Sequence, residues 1–188
     1  METTARPVGP KTPPFFLVID LEATCDQDHR ISKHEMEIIE IGAVLVDSST
    51  LKPVGELGQF VKPIRHPKLT KFCTELTTIV QSDVENAPLF PEAIAQLKRF
   101  IGAREALFCS WGDYDRNQLT QDCRLHGIPY PFGEAHLNLK KRFSERQGLP
   151  KKLGMGQALA HCNLKLEGTH HRGIDDARNM ARMLPWIV

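Results

Sequence analysis

Residues 15–20, FFLVID, are apolar at every position but the last. A run of that length with no polar alternate offers no side to water, so it reads as a buried strand at the centre of a covered sheet. The segment 35–47, EMEIIEIGAVLVD, is rich in Ile and Val and reads as a second strand, with LGQFVKP (57–63) as a third. The turns between them are short and polar, which predicts an antiparallel meander with the first strand central. Helical patterns then take over at 69–76, 81–86 and 91–101, where Pro91 suits a first helical position. ALFCSW (106–111) is one more short apolar run, read as a strand returning beside the first. Helices over 113–126, 138–147, 154–160 and 173–184 complete the chain. The pattern describes a mixed α/β domain whose helices cover a central sheet.

The 188 residues suit one domain, expected over 14–188 after a polar, Pro-bearing lead (1–13) read as disordered. No stretch of about 18 apolar residues is present and the N-terminus lacks an apolar signal core, so no membrane partner and no export are expected. Cys25, Cys73, Cys109, Cys123 and Cys162 are odd in number and scattered, with no CxxC. Neither a disulfide framework nor a zinc knuckle is suggested, and a reduced, cytoplasmic setting fits best. The net charge of +1 conceals a segregation: residues 138–188 hold ten Lys and Arg against four acids, leaving the rest at −5. Lys140, Lys141, Arg142, Arg146, Lys151 and Lys152 are either a solvated helix face or a surface for a polyanion.

Asp20 and Glu22 end the first apolar run. Two residues apart on a strand, they project from one face, a geometry that can hold a hard divalent cation. Such spacing alone is weak, since roughly three acidic i,i+2 pairs arise by chance at this composition. Asp26 with Asp28, and Asp83 with Glu85, are read as accidents of that kind. In SWGDYDRNQLTQDC, a helix beginning near Asp113 puts Asp115, Leu119 and Cys123 on one inward face. Asp113 then reads as an N-cap accepting early helix N–H groups, and Asp115 as either the inward acid or a first-turn charge favoured by the helix dipole. In GTHHRGIDDARNMARML the apolar stripe is Ile174, Ala177, Met180, Ala181 and Leu184; Asp176 lies at its edge and Asp175 points away, toward a capping role. His171 meets Asp176 only from a loop, with Gly173 supplying the freedom. It is either a general base near neutrality or, with His170, a loop histidine without duty. Zinc ligation by the two is disfavoured, because adjacent side chains in an extended loop diverge.

Taken together, Asp20-Leu21-Glu22 after an apolar strand, Asp115 on a mid-chain helix, and His171 five residues before Asp176 resemble the DEDDh class of 3′-to-5′ exonucleases, the RNase T and proofreading-exonuclease superfamily. VIDLEATC, EIIEIGAVLVD, FCTELTTI and HRGIDDARNMARML are similar to its enhanced-RNAi and histone-mRNA 3′-end exonuclease family, over roughly residues 14–188. The resemblance implies an RNase H-like mixed sheet, antiparallel in its first three strands with parallel additions, flanked by helices. It implies two Mg²⁺ or Mn²⁺ ions held by Asp20, Glu22, Asp115 and Asp176, and His171 as the base that deprotonates water. Ala23, Thr24, Leu76 and Thr77 match positions that in the family embrace the terminal nucleotide; Tyr114, the aromatic just before Asp115, is read as a face for stacking a base, and His171 is counted with these substrate-binding residues. The implied substrate is single-stranded RNA or a 3′ overhang, released as nucleoside 5′-monophosphates. DNA is the rival substrate, and an inactive nucleic-acid-binding module of the same fold the rival class. Thr78 replaces the Gly of the family's Leu-Thr-Gly-Ile element, and no extra RNA-binding domain is expected ahead of the nuclease core. Glu40 is read as structural.

Overall fold

The computed structural model describes residues 13–28 and 30–188. The lead expected to be disordered therefore lies, except for Pro13, outside the described residues. A five-stranded sheet has the order β3-β2-β1-β4-β5, with β1 (Phe15–Ala23) in the middle as the apolar run requires. β1, β2 (Ile38–Asp47) and β3 (Pro53–Phe60) form the antiparallel meander, and β4 (Ala106–Ser110) and β5 (His136–Asn138) add in parallel. The helices are α1 (Lys71–Thr77), α2 (Gln81–Glu85), α3 (Phe90–Ile101), α4 (Tyr114–Leu125), α5 (Leu139–Arg146), α6 (Met155–His161) and α7 (Gly173–Arg182).

Alternate residues of β1 feed two cores. Phe16 and Val18 pack with α5, α6 and α7 through Phe143, Leu159, Ala177 and Met180. Leu17, Ile19 and Leu21 pack on the other side with α3 and α4 through Phe90, Ile94, Leu97 and Leu119. Asp20 and Glu22 continue the first series, so they emerge on the α7 face. A register shift between Glu22 and Ala23 marks where β1 stops pairing regularly.

The largest differences from the sequence reading lie at β3, which starts earlier than read, and at β5, which the sequence does not predict as a strand. The third strand starts at Pro53 rather than Leu57 because β3 is an edge strand with half its positions exposed, so apolar density is a poor guide; Pro53 is tolerated as its first residue. β5 has three residues, all half-buried, and carries no periodic signal.

Candidate active site

β4 pairs with β1 only as far as Val18, leaving the end of β1 open on that side. The chain turns after Ser110 and starts α4, and Asp115 reaches back so that its Oδ1 accepts the Leu21 N–H at 3.1 Å. This acid substitutes for a missing strand partner while standing beside Asp20 and Glu22. Asp115 is buried together with Leu119 and Cys123, the inward face the spacing predicts. Asp113 precedes the helix but makes no capping hydrogen bond, contrary to expectation. Its carboxylate is engaged elsewhere, accepting from Arg116 Nη2 at 3.2 Å and Asn138 Nδ2 at 3.1 Å.

Asp176 arrives through a close approach of backbone to backbone. Gly42, opposite Asp20 in the β1–β2 ladder, lies so near the start of α7 that a Cβ there would sit 2.0 Å from the Gly173 carbonyl carbon. A Cβ on Gly173 would lie 3.0 Å from the Asp20 carbonyl oxygen. Glu40 fixes the contact, its Oε2 accepting the Gly173 N–H at 2.9 Å and Arg172 Nε at 3.2 Å. The structural role expected of Glu40 is thus a clasp on the first turn of α7. Gly173 serves closeness rather than the freedom the sequence assigns to it. His171 itself makes the turn, at φ 63°, a left-handed conformation that costs a non-glycine residue energy and that clusters at functional sites. One consequence overturns the expected divergence of the two histidines: their rings stack, centroids 4.0 Å apart.

Oxygens of Asp20, Glu22 and Asp176 come within 4.8 Å of one another, and so do donor atoms of His170, His171 and Asp176. His170 is the ring bonded to the acid, Nδ1 lying 3.0 Å from Asp176 Oδ2, while His171 contributes its backbone N–H to the same oxygen at 3.0 Å. Asp175 faces away, accepting from the Thr169 N–H and Arg178 and so bracing the loop that carries the histidines.

The electrostatics of this cluster are those of buried carboxylates crowded against one another, with His170 at Asp176 and Arg172 at Glu40. Glu22 is pushed up to about 8, first by burial and then by Asp176, Glu40 and Asp115. Asp20 is raised well above the carboxylate range by burial, then by Asp115 and Glu22. Burial lifts Asp115 to about 6 against the pull of the hydrogen bond from the Leu21 N–H, while the neighbouring Ser110 Oγ donates to the Gly112 carbonyl at 3.0 Å and lies 2.9 Å from His136 Nε2. Burial raises Asp176 against the pull of His170. The His171 imidazole is held below its usual value by burial and by His170, so it stays neutral at neutral pH. An all-oxygen set whose members oppose one another's ionisation fits a hard divalent cation.

A cavity of about 330 Å³ opens over the acids, a small-ligand site rather than a duplex-wide groove. Ala23, Leu76, Tyr114 and His171 line it as expected. Thr24 and Thr77 do not: Thr24 is buried with its Oγ1 accepting the Glu37 N–H, and Thr77 bonds back to the Cys73 carbonyl. Met36, Trp111 and Met155 line the cavity unforeseen, being apolar residues outside any acidic or histidine motif.

This sheet order, with acids gathered at the end of the central strand, defines a class, the DEDDh nuclease fold. The nuclease domain of 3'hExo, a DEDDh family member solved bound to rAMP, superposes with a TM-score of 0.85 at 27% identity over 92% of each chain. The chain belongs to the exonuclease (RNase T) family, whose profile matches residues 17–184. ERI1 exoribonuclease 3 of Mus musculus is 31% identical over 191 residues, covering 97% of this chain and 56% of the relative. ERI1 exoribonuclease 2 of Homo sapiens is 34% identical over 198 residues, covering 92% of this chain and 28% of the relative. The chain therefore spans about half the length of the first relative and less of the second. Divalent-metal dependence goes with the fold, and the oxygen set described above fits it.

Proposed function

We propose that the protein is a 3′-to-5′ exoribonuclease that removes nucleoside 5′-monophosphates one at a time from single-stranded RNA or 3′ overhangs. The observation carrying this reading is the meeting of Asp20, Glu22 and Asp176 oxygens within 4.8 Å under a cavity that also receives Asp115 and His171. Those four acids would hold two Mg²⁺ or Mn²⁺ ions, which when bound sharpen a water into a nucleophile and offset charge on the phosphate and leaving oxygen. His171 would take the water's proton at a ring nitrogen; it is the imidazole of the pair not committed to a carboxylate, and its depressed pKa keeps it neutral and able to accept. His170 orients Asp176. Ala23 and Leu76 offer an apolar wall to the terminal nucleotide, and Tyr114 a face on which a base can stack. RNA as substrate is supported by the exoribonuclease relatives and by the rAMP-bound neighbour. Five free thiols, four of them buried, support the cytoplasmic setting.

The test is digestion of end-labelled RNA and DNA of one sequence with purified protein and Mg²⁺. A ladder shortening from the 3′ end of RNA, stopped by EDTA, is expected. Preferential digestion of DNA reassigns the substrate, and internal cuts remove the exonuclease reading.

A further inference from the structure

The cavity receives one nucleotide, and the rest of a strand needs somewhere to lie. Resting on the functional reading above, we propose that the RNA 5′ of the scissile phosphate runs along the exposed face of α4 from Tyr114 to a cationic groove formed by Arg65 and Arg124.

The direction follows from the two-sided construction of the site. The histidines stand on the α7 side, so a water activated there attacks from that side. In-line displacement then expels the 3′-oxygen of the preceding nucleotide on the opposite side, where α4 begins. Tyr114, 47% exposed, lines the cavity at that point. Asn117, Gln121 and Arg124 follow it at three, seven and ten residues, within an arc of about 80° on the helix and over about 15 Å. At the far end a groove of about 510 Å³ is lined by His34, Arg65, Asn117, Gln121 and Arg124, with no acid in its wall. Among the described residues, neither arginine makes an ion pair.

The nearby acids are engaged elsewhere. Glu37 is buried and accepts the N–H groups of Ile64, Arg65 and His66, which also fixes the backbone carrying Arg65. Asp122 is buried and accepts from Ile38 and Gln118, and Glu35 accepts from Ser32. Met36 joins the cavity to the groove: it lines the former, and its carbonyl takes 2.8 Å bonds from Gln118 and from Gln121. An aromatic platform leading into amides and unpaired guanidinium groups is the chemistry that follows a single-stranded backbone without reading its sequence.

The experiment compares wild type with the Arg65→Gln/Arg124→Gln double variant on a dinucleotide and on a 12-nucleotide single-stranded RNA. KM for the long RNA is expected to rise about tenfold with kcat unchanged. The negative slope of log affinity against log salt should become shallower by roughly 1.4, the value for two phosphate contacts on a single strand. Dinucleotide kinetics should not change. Equal KM values for the long RNA overturn the proposal; so does an equal loss on the dinucleotide, which would put the arginines at the terminal site. A Lys141→Gln/Arg142→Gln variant on α5 tests the other basic surface, and a KM effect confined to it would also overturn the track. If wild type shortens no RNA, the functional reading fails by itself. Anisotropy of a fluorescent 12-nucleotide RNA in EDTA then tests the track separately, with equal Kd for wild type and Arg variant counting against it.

Discussion

Gly42→Ala is the substitution through which the structure makes its most exposed claim. The residue lies opposite Asp20 in the ladder, and its added methyl would meet the Gly173 carbonyl carbon at 2.0 Å, the Gly173 oxygen at 2.1 Å and the Ile174 nitrogen at 2.2 Å. Ordinary contact begins near 3.4 Å, so backbone must retreat by about 1.4 Å, and neither partner is a side chain that can swing aside. Overpacking of this kind costs about 1–3 kcal/mol. For a chain of this size that is a fall in Tm of roughly 2–12 °C. The larger effect falls on catalysis. Any retreat of α7 carries Asp176 away from Asp20 and Glu22, and a misplacement of about 1 Å costs on the order of 100-fold in rate. Thermal unfolding and turnover of end-labelled RNA at saturating Mn²⁺ are the assays, with Gly133→Ala as the control, since nothing lies within 4 Å of a Cβ there. Turnover within twofold of wild type for Gly42→Ala would refute the argument that glycine-mediated contact sets the acid geometry.

Thr78 closes α1 in the left-handed region, at φ 62° and ψ 4°. Thr78→Gly should relieve the side-chain strain and raise Tm by about 2–4 °C, a gain of about 1 kcal/mol; an unchanged or lower Tm contradicts it. Asp115→Asn should reduce turnover by at least about 100-fold while Asp113→Asn stays within a few-fold, because the latter carboxylate faces Arg116 and Asn138 outside the cluster. The reverse order would mean that Asp113 holds the ion. Glu22 gives a pH prediction for the metal-free protein. Its folded pKa of about 8 exceeds the ordinary 4.5, so between those values the folded state holds a proton the unfolded state has lost. Stability then falls as pH rises from about 4.5 to 8. In EDTA, Tm should decline over that window more steeply for wild type than for Glu22→Gln, and Mn²⁺ should remove the difference. Parallel slopes in EDTA would show that Glu22 ionises normally.

The strands and helices were legible where one periodicity persisted. FFLVID reads as central because no position in it tolerates water, and α4 and α7 read correctly because their apolar faces phase Asp115 and Asp176 inward. Legibility failed where a residue's role is set by what it meets across the fold. Gly42 is an unremarked glycine in a strand until α7 is seen resting on it. Thr24 and Thr77 sit within the right motifs, yet their hydroxyls are occupied by the backbone of neighbouring segments. Asp113 carries the sequence signature of a cap, and a tertiary neighbour, Asn138, together with Arg116, claims the carboxylate instead. His170 and His171 diverge in any regular extended loop; only the left-handed turn at His171 lets their rings stack.

The reactive centre is rooted in both layers of the molecule, one acid delivered by the helix beneath the sheet and another by the helix above it, with the histidines on the loop that leads into that second helix. Hydrolysis therefore audits two hydrophobic interiors at once. Thinning either interior one helical turn along from its acid, at Leu119 on one side or Met180 on the other, would be felt first as slowed cleavage, while circular dichroism still records a folded chain.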